Sequence, residues 1–255
     1  MKLSDVRAVI TGGASGLGYA VAAHLIAQGA SVSLFDVNEE KGTAAAKQLG
    51  ERARFAKVDV SNEQAVSEQV AAAREAMGGL NAAINCAGIL GAGRVLGKDG
   101  PMPLSQFETT LRVNLIGSFN IAKAAANLMQ QNEPGDDGER GVVVNTASIA
   151  AFEGQIGQAA YSASKGGVVG MTLPIAREFS RIGVRVMTVA PGVFHTPMVD
   201  GMPQSVYDSL CAQVPYPSRL GKPEEFAETV AFVIQNRYLN GGVIRIDGAI
   251  RLQPK

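Results

Sequence analysis

Cysteine and histidine are scarce: Cys86 and Cys211, His24 and His195 are the full complement in 255 residues. A zinc-type site needs three or four such ligands at short spacings, so no metal site is expected. The two cysteines suggest reduced thiols and a reducing compartment, the cytoplasm or the mitochondrial matrix. His24 falls in a predicted helix as a packing or surface residue, and His195 has no acid or cysteine beside it in sequence. An excess of either charge is also missing. Basic and acidic residues number 23 each, and neither forms a long block, so nothing suggests nucleic acid or an anionic membrane as a partner. No apolar run reaches the ~18 residues that a bilayer span requires, and Met1-Lys-Leu-Ser-Asp5 leads into a strand without the apolar core of an export signal. No linker rich in proline, glycine or serine divides the chain, which reads as one domain over residues 1–255.

What is present is an alternation of apolar strands and helices. Val6 to Thr11 reads as a buried strand, and Gly12-Gly-Ala-Ser-Gly-Leu-Gly18 then opens a helix that ends near Gly29. Glycines at 12, 16 and 18 allow a backbone to approach a pyrophosphate, whose charge suits the N–H groups at a helix start. A second strand, Ser31 to Asp36, ends in an acid 18 residues beyond Gly18, near the ~20 expected of a carboxylate that binds an adenosine ribose. Asp36 argues for NAD, because it would repel the 2′-phosphate of NADP and no arginine or lysine stands near it to receive one. A third strand is expected over Ala53 to Val60, where Asp59 can meet an adenine, and a fourth over Leu80 to Gly88, closing in Asn85-Cys-Ala-Gly88. Residues 89–103 and 195–220 are predicted as loops that border a substrate pocket, with 198–220 as a mobile lid. Ser105 and Glu108 have capping-box spacing at the start of a helix that carries Asn114. Gln130 to Arg140 reads as a polar surface excursion before a strand over Gly141 to Thr146. Further strands over Val184 to Ala190 and Val243 to Asp247 complete a seven-stranded, doubly wound parallel sheet of Rossmann type.

The chemistry concentrates between Ser148 and Lys165. Tyr161 and Lys165 are four apart, hence on one helical face, where an ammonium can lower a phenol's pKa by roughly 1–3 units toward proton transfer at neutral pH. Ser148 follows a strand end and adds a hydroxyl. The same helix is expected to continue to about Ser180, with Pro174 bending it.

Taken in order, Thr11-Gly-Gly-Ala-Ser-Gly-Leu-Gly18, Asn85-Cys-Ala-Gly88, Ser148, Tyr161-Ser-Ala-Ser-Lys165 and Pro191-Gly192 resemble the short-chain dehydrogenase/reductase family from end to end. Cys86 departs from that family's usual second asparagine. The resemblance implies Tyr161 as catalytic acid/base, Lys165 as its electrostatic partner and a ligand of the nicotinamide ribose, and Ser148 as a hydrogen-bond donor to the reacting oxygen. It implies Asn114 as the holder of a water that joins Lys165 to solvent. It also implies NAD contacts from Ser15, Leu17, Asp36, Asp59, Val60, Asn85, Cys86, Phe194 and Thr196, with Gly12, Gly16 and Gly18 shaping the turn, and a homotetramer. Blocks such as Pro215-Tyr-Pro-Ser-Arg-Leu-Gly221 and Ile246-Asp-Gly-Ala-Ile-Arg251 resemble members that oxidise 3-hydroxyacyl-CoA thioesters and are also described as hydroxysteroid dehydrogenases. The expected activity is therefore NAD-dependent oxidation of a 3-hydroxyacyl-CoA. The alternatives are a hydroxysteroid or other secondary-alcohol dehydrogenase and a non-catalytic NAD-binding subunit of a larger assembly.

Overall fold

Apolar runs that are buried on both faces make the central sheet, because only a strand covered on each side can afford to be hydrophobic at consecutive positions. Val9 faces one helical layer and Ile10 the other, both fully buried. The structure, a computed structural model, describes residues 1–197 and 204–254. Seven parallel strands lie in the order β3-β2-β1-β4-β7-β8-β9. They are β1 (Arg7–Thr11), β2 (Ser31–Asp36), β3 (Ala53–Lys57), β4 (Ala82–Asn85), β7 (Gly141–Thr146), β8 (Val184–Pro191) and β9 (Val243–Ile246). The remaining pair, β5 (Leu96–Gly97) and β6 (Gly100–Pro101), forms a small antiparallel ribbon inside the predicted 89–103 loop.

Helices cover both faces. On one side α1 (Gly16–Ala27) and α9 (Pro223–Gln235) pack Val21, Leu25, Phe226 and Ile234 against Ile10, Leu34 and Val144. On the other, α3 (Glu63–Met77), α5 (Gly117–Met129) and α7 (Ala159–Phe179) pack Val70, Ile121, Met129 and Ile175 against Val9, Phe35 and Val143. The others are α2 (Glu39–Leu49), α4 (Leu104–Leu111), α6 (Ala150–Glu153) and α8 (Gln204–Ala212). Asn38 and Asn62 cap α2 and α3, each accepting from a backbone N–H three residues on.

Three local expectations change. The third strand stops at Lys57, because Asp59 turns the chain by accepting from the N–H and hydroxyl of Ser61. Ser105 caps nothing: α4 begins at Leu104 with Pro103 before it, whose fixed φ of -59 is already compatible with the first turn. Between α4 and α5 the stretch Arg112–Ile116 is π-helical, a one-residue widening that carries Asn114. As expected, α7 continues past Pro174, to Phe179; the carbonyl that Pro174 cannot pair belongs to exposed Gly170, where water can take the bond. Of the predicted lid, residues 198–203 lie outside the described residues, and 204–212 form α8, which carries Cys211.

The direction of winding reverses between β1 and β4, so the chain leaves these neighbouring strands toward opposite faces. In an open parallel sheet the crevice at that point, beyond the strands' carboxyl ends, is where a ligand fits.

Candidate active site

The turn after β1 is built by contact as much as by conformation. A Cβ on Gly12, which has φ +62, would lie 2.9 Å from the backbone of Cys86 and Ala87, and one on Gly18 would lie 2.3 Å from the Gly12 carbonyl oxygen. Both are needed for the protein to pack against itself. Gly16, with φ +56, is different: nothing stands closer to its Cβ position than Thr196 at 3.7 Å, so it opens onto the cleft. Thr11 completes the junction, its Oγ1 accepting from the N–H groups of Cys86 at 3.1 Å and Ala87 at 3.0 Å. That bond fixes β1 and β4 at the switch point, and strand periodicity gave no sign of it.

A cleft of about 770 Å³ opens there. Gly12, Ser15, Gly16, Leu17, Gly18, Asp36, Asp59, Val60, Cys86, Ser148, Tyr161, Lys165, Phe194 and Thr196 all line it. Phe194 does so while its ring packs edge-on against Phe226, with centroids 6.2 Å apart. Asp36 accepts from the backbone N–H groups of Ala14 and Asn38, which hold its carboxylate at the cleft wall. Leu252, Gln155 and Gln158 also line the cleft and were not among the expected residues. The chain's last residues reach the cleft through hydrogen bonds from Ile156 N–H to the Pro254 carbonyl and from the Gln155 amide to the Gln253 carbonyl.

Two expected residues stand behind the cleft. Asn85 is 2% exposed and donates to the Ser118 carbonyl at 3.1 Å and to Asn145 Oδ1 at 2.8 Å, so its side chain ties β4 to β7 and α5 and is not at hand for a cofactor. Burial of the strand's last residue overrides the direct contact that the motif implies. Asn114 is fully buried and holds the cleft-lining residue Ile89 by both main-chain groups, at 2.8 and 2.9 Å.

Ser148 is placed by its own turn, accepting from Ala150 N–H at 3.1 Å, with flanking N–H groups bonded to the carbonyls of Val189 and Pro191 on β8. Lys165 is 4% exposed and donates to the Thr146 carbonyl at 2.8 Å, with its Nζ 5.8 Å from the centre of the Tyr161 ring. The electrostatics differ from the expectation that lysine would draw the phenol down. Burial pushes the Tyr161 phenol above its ordinary value, opposed by the Ser148 hydroxyl, and the same burial pulls Lys165 down to about 8. Neighbouring Cys86, whose Sγ receives the Thr146 hydroxyl at 3.6 Å, is pushed up to about 11 by desolvation, which makes it a poor thiolate.

The buried lysine has a consequence for stability. Between about pH 8 and 10.5 the unfolded chain keeps the Lys165 proton and the folded one does not, so this group's burden on folding is largest below about pH 8 and fades as pH rises through that window. Lys165→Met should raise the melting temperature at pH 7 by a few degrees while removing turnover, and the gap to the parent should narrow toward pH 10.5. Thermal unfolding across that range checks it; a gap independent of pH would show that Lys165 is not buried as a charge.

Comparison with known proteins bears on this arrangement. Residues 7–206 match the family model described as short chain dehydrogenase. The chain is 54% identical over 255 residues to 3-hydroxyacyl-CoA dehydrogenase type-2 of Homo sapiens, covering 99% of this chain and 98% of the relative. Its counterpart of the same name in Drosophila melanogaster is 49% identical, with 99% and 100% covered. A crystal structure of 3-hydroxyacyl-CoA dehydrogenase type-2 from Mycobacterium avium superposes with a TM-score of 0.90 at 43% identity, covering 98% of this chain and 97% of that one.

Proposed function

The chain belongs to the short chain dehydrogenase family, oxidoreductases that act on CH–OH groups, and on that footing we propose that it oxidises 3-hydroxyacyl-CoA to 3-oxoacyl-CoA with NAD. The observation that carries the reading is the meeting of Ser148, Tyr161 and Lys165 in one cleft with the glycine turn and Asp36.

The cleft fits a dinucleotide: Gly16 opens on it, Asp36 lines it, and Lys165 is the one lysine or arginine among the described residues around it. A 2′-phosphate would therefore find a carboxylate and no nearby guanidinium, which supports NAD. When bound, the nicotinamide supplies the hydride acceptor. Tyr161, as phenolate, takes the proton of the substrate hydroxyl while the hydrogen on C3 departs with its electron pair and the C=O bond forms. Ser148 donates to the oxygen on which charge shifts, and the Lys165 ammonium steadies the phenolate. For Asp36→Ala, preference for NAD over NADP should fall by about tenfold or more, on the scale of one lost charged contact; unchanged kcat/KM ratios for the two nucleotides would remove Asp36 from that role.

Ile89, Leu90, Val113, Ile149 and Leu252 give the cleft an apolar wall that suits an acyl chain and would also accept a steroid. Mass analysis of products from 3-hydroxybutyryl-CoA and from a hydroxysteroid separates the two: faster 3-oxoacyl-CoA formation supports the thioester, and oxidation of the steroid alone overturns it. Ile116 and Phe119, each 44% exposed at the junction of the π-helical stretch and α5, offer an apolar surface to another copy of the chain, in line with the homotetramer that the family resemblance implies. Among the described residues no helix is long and apolar enough to cross a membrane.

A further inference from the structure

We infer that Ser164 is a positioning residue for proton transfer, its buried hydroxyl locking the turn of α7 that carries Tyr161 to Asn114. The inference rests on the reading of Tyr161 as the group that moves the proton.

Ser164 is 0% exposed, in a helix whose nearby positions 159, 160 and 163 are alanine. Serine forms helix less readily than alanine, and a buried hydroxyl must find partners. Ser164 finds two. Its Oγ donates to the Tyr161 carbonyl at 2.7 Å and accepts from Asn114 Nδ2 at 2.9 Å. Asn114 also donates to the Ile89 carbonyl and accepts from Ile89 N–H, and its own carbonyl receives the Ser118 hydroxyl at 2.8 Å. One amide thus joins the π-helical stretch, the cleft wall at Ile89 and the turn of α7 between Tyr161 and Lys165. The spacing is tight: the Cβ position of Gly88 lies 3.2 Å from Asn114 Oδ1 and 3.5 Å from Lys165 Nζ. Loss of the Ser164 hydroxyl leaves one Asn114 N–H without its side-chain partner in a fully buried site, and the amide and the Tyr161 turn then lose their common register.

Ser162, on the same helix, supplies the control. Its Oγ is buried and makes no hydrogen bond to another described residue of the chain, so Ser162→Ala removes an equal hydroxyl without breaking the Asn114–Ser164–Tyr161 link.

The test compares Ser164→Ala, Ser162→Ala, Tyr161→Phe and the parent with NAD and 3-hydroxybutyryl-CoA over a pH series, with melting curves and a titration of the phenol by tyrosinate absorbance. A misplaced reacting group costs up to about 100-fold. Ser164→Ala should lower kcat roughly tenfold with KM for NAD nearly unchanged. It should also move the acid limb of the kcat profile, and the Tyr161 titration, to higher pH, because the phenol loses register with the Ser148 hydroxyl that lowers its pKa. Ser162→Ala should match the parent. A Ser164→Ala protein with parental kcat and titration, or one that loses melting temperature with neither limb nor titration displaced, overturns the inference. An active Tyr161→Phe instead overturns the reading of Tyr161, and the inference falls with it.

Discussion

Tyr161→Phe should lower kcat by about 10²–10⁴-fold, the usual contribution of a placed acid/base group, while leaving NAD affinity within about twofold. The substitution removes one oxygen from a side chain that lines the cleft beside Ser148 and leaves the ring, the Lys165–Thr146 bond and the glycine turn intact. The ring still stands 5.8 Å from the lysine nitrogen, so the cation keeps its neighbour and loses only the oxygen on which it acts. Steady-state rates with calorimetric NAD binding read the two effects separately. Equal losses in both would mean that the ring's packing was disturbed; full activity would take the proton transfer away from Tyr161.

The second large effect lies at the opposite end of the sheet. Arg185, near the start of β8, is 7% exposed, and its guanidinium makes four hydrogen bonds and an ion pair. Nε and Nη2 reach Glu139 Oε1 at 2.9 and 2.8 Å, Nη1 donates to the carbonyls of Val233 and Leu239, and Nη2 donates to that of Ile234. Val233 and Ile234 lie in the last turn of α9, whose carbonyls have no partner within the helix, so a core guanidinium closes that end from inside. Arg185→Met leaves the Glu139 carboxylate, 8% exposed, without its Oε1 partner, its Oε2 still held by the Met1 ammonium at 3.2 Å and Arg237 at 3.7 Å. Breaking a buried pair in this way costs about 3–5 kcal/mol, or a fall of about 10 °C in melting temperature for a chain of this size. Thermal unfolding measures it, and adding Glu139→Leu should restore part of the loss because the buried carboxylate that lost its Oε1 partner is then gone. A fall under about 2 °C would show that the pair is not desolvated. Turnover per folded molecule at low temperature should not change, since Arg185 is at the amino end of β8 and the cleft is at the carboxyl ends.

These two sites differ in how much of them the amino-acid sequence discloses. The glycine turn, Asp36 and the Tyr161–Lys165 pair are legible because each depends on spacing within one strand–turn–helix unit or one helical turn. The order of the sheet is legible because parallel strands need crossovers of fixed hand. Arg185 and Glu139 are not: they stand 46 residues apart, and Glu139 sits in a stretch so polar that it reads as surface. Thr11 and Ser164 belong to the motifs, yet only packing shows that their hydroxyls join separate segments. Asn85 belongs to a motif as well, but packing turns it into the sheet, away from the cleft. The sign of the Tyr161 shift also lies beyond sequence, because a neighbouring charge is visible in a four-residue spacing and desolvation is a property of the finished cleft.

Three segments far apart in sequence meet where a hydride would leave the substrate carbon and a proton its hydroxyl oxygen: the turn after β1, the loop after β7 and the first turns of α7. The most direct test is to give the purified protein NAD and 3-hydroxybutyryl-CoA deuterated at C3 and follow the label. Rapid formation of reduced nucleotide carrying the deuterium, slowed by the isotope and absent for Tyr161→Phe, is the result expected. Bound NAD with no reduced nucleotide, or label that appears in water, would contradict hydride transfer from a 3-hydroxyacyl thioester in this cleft.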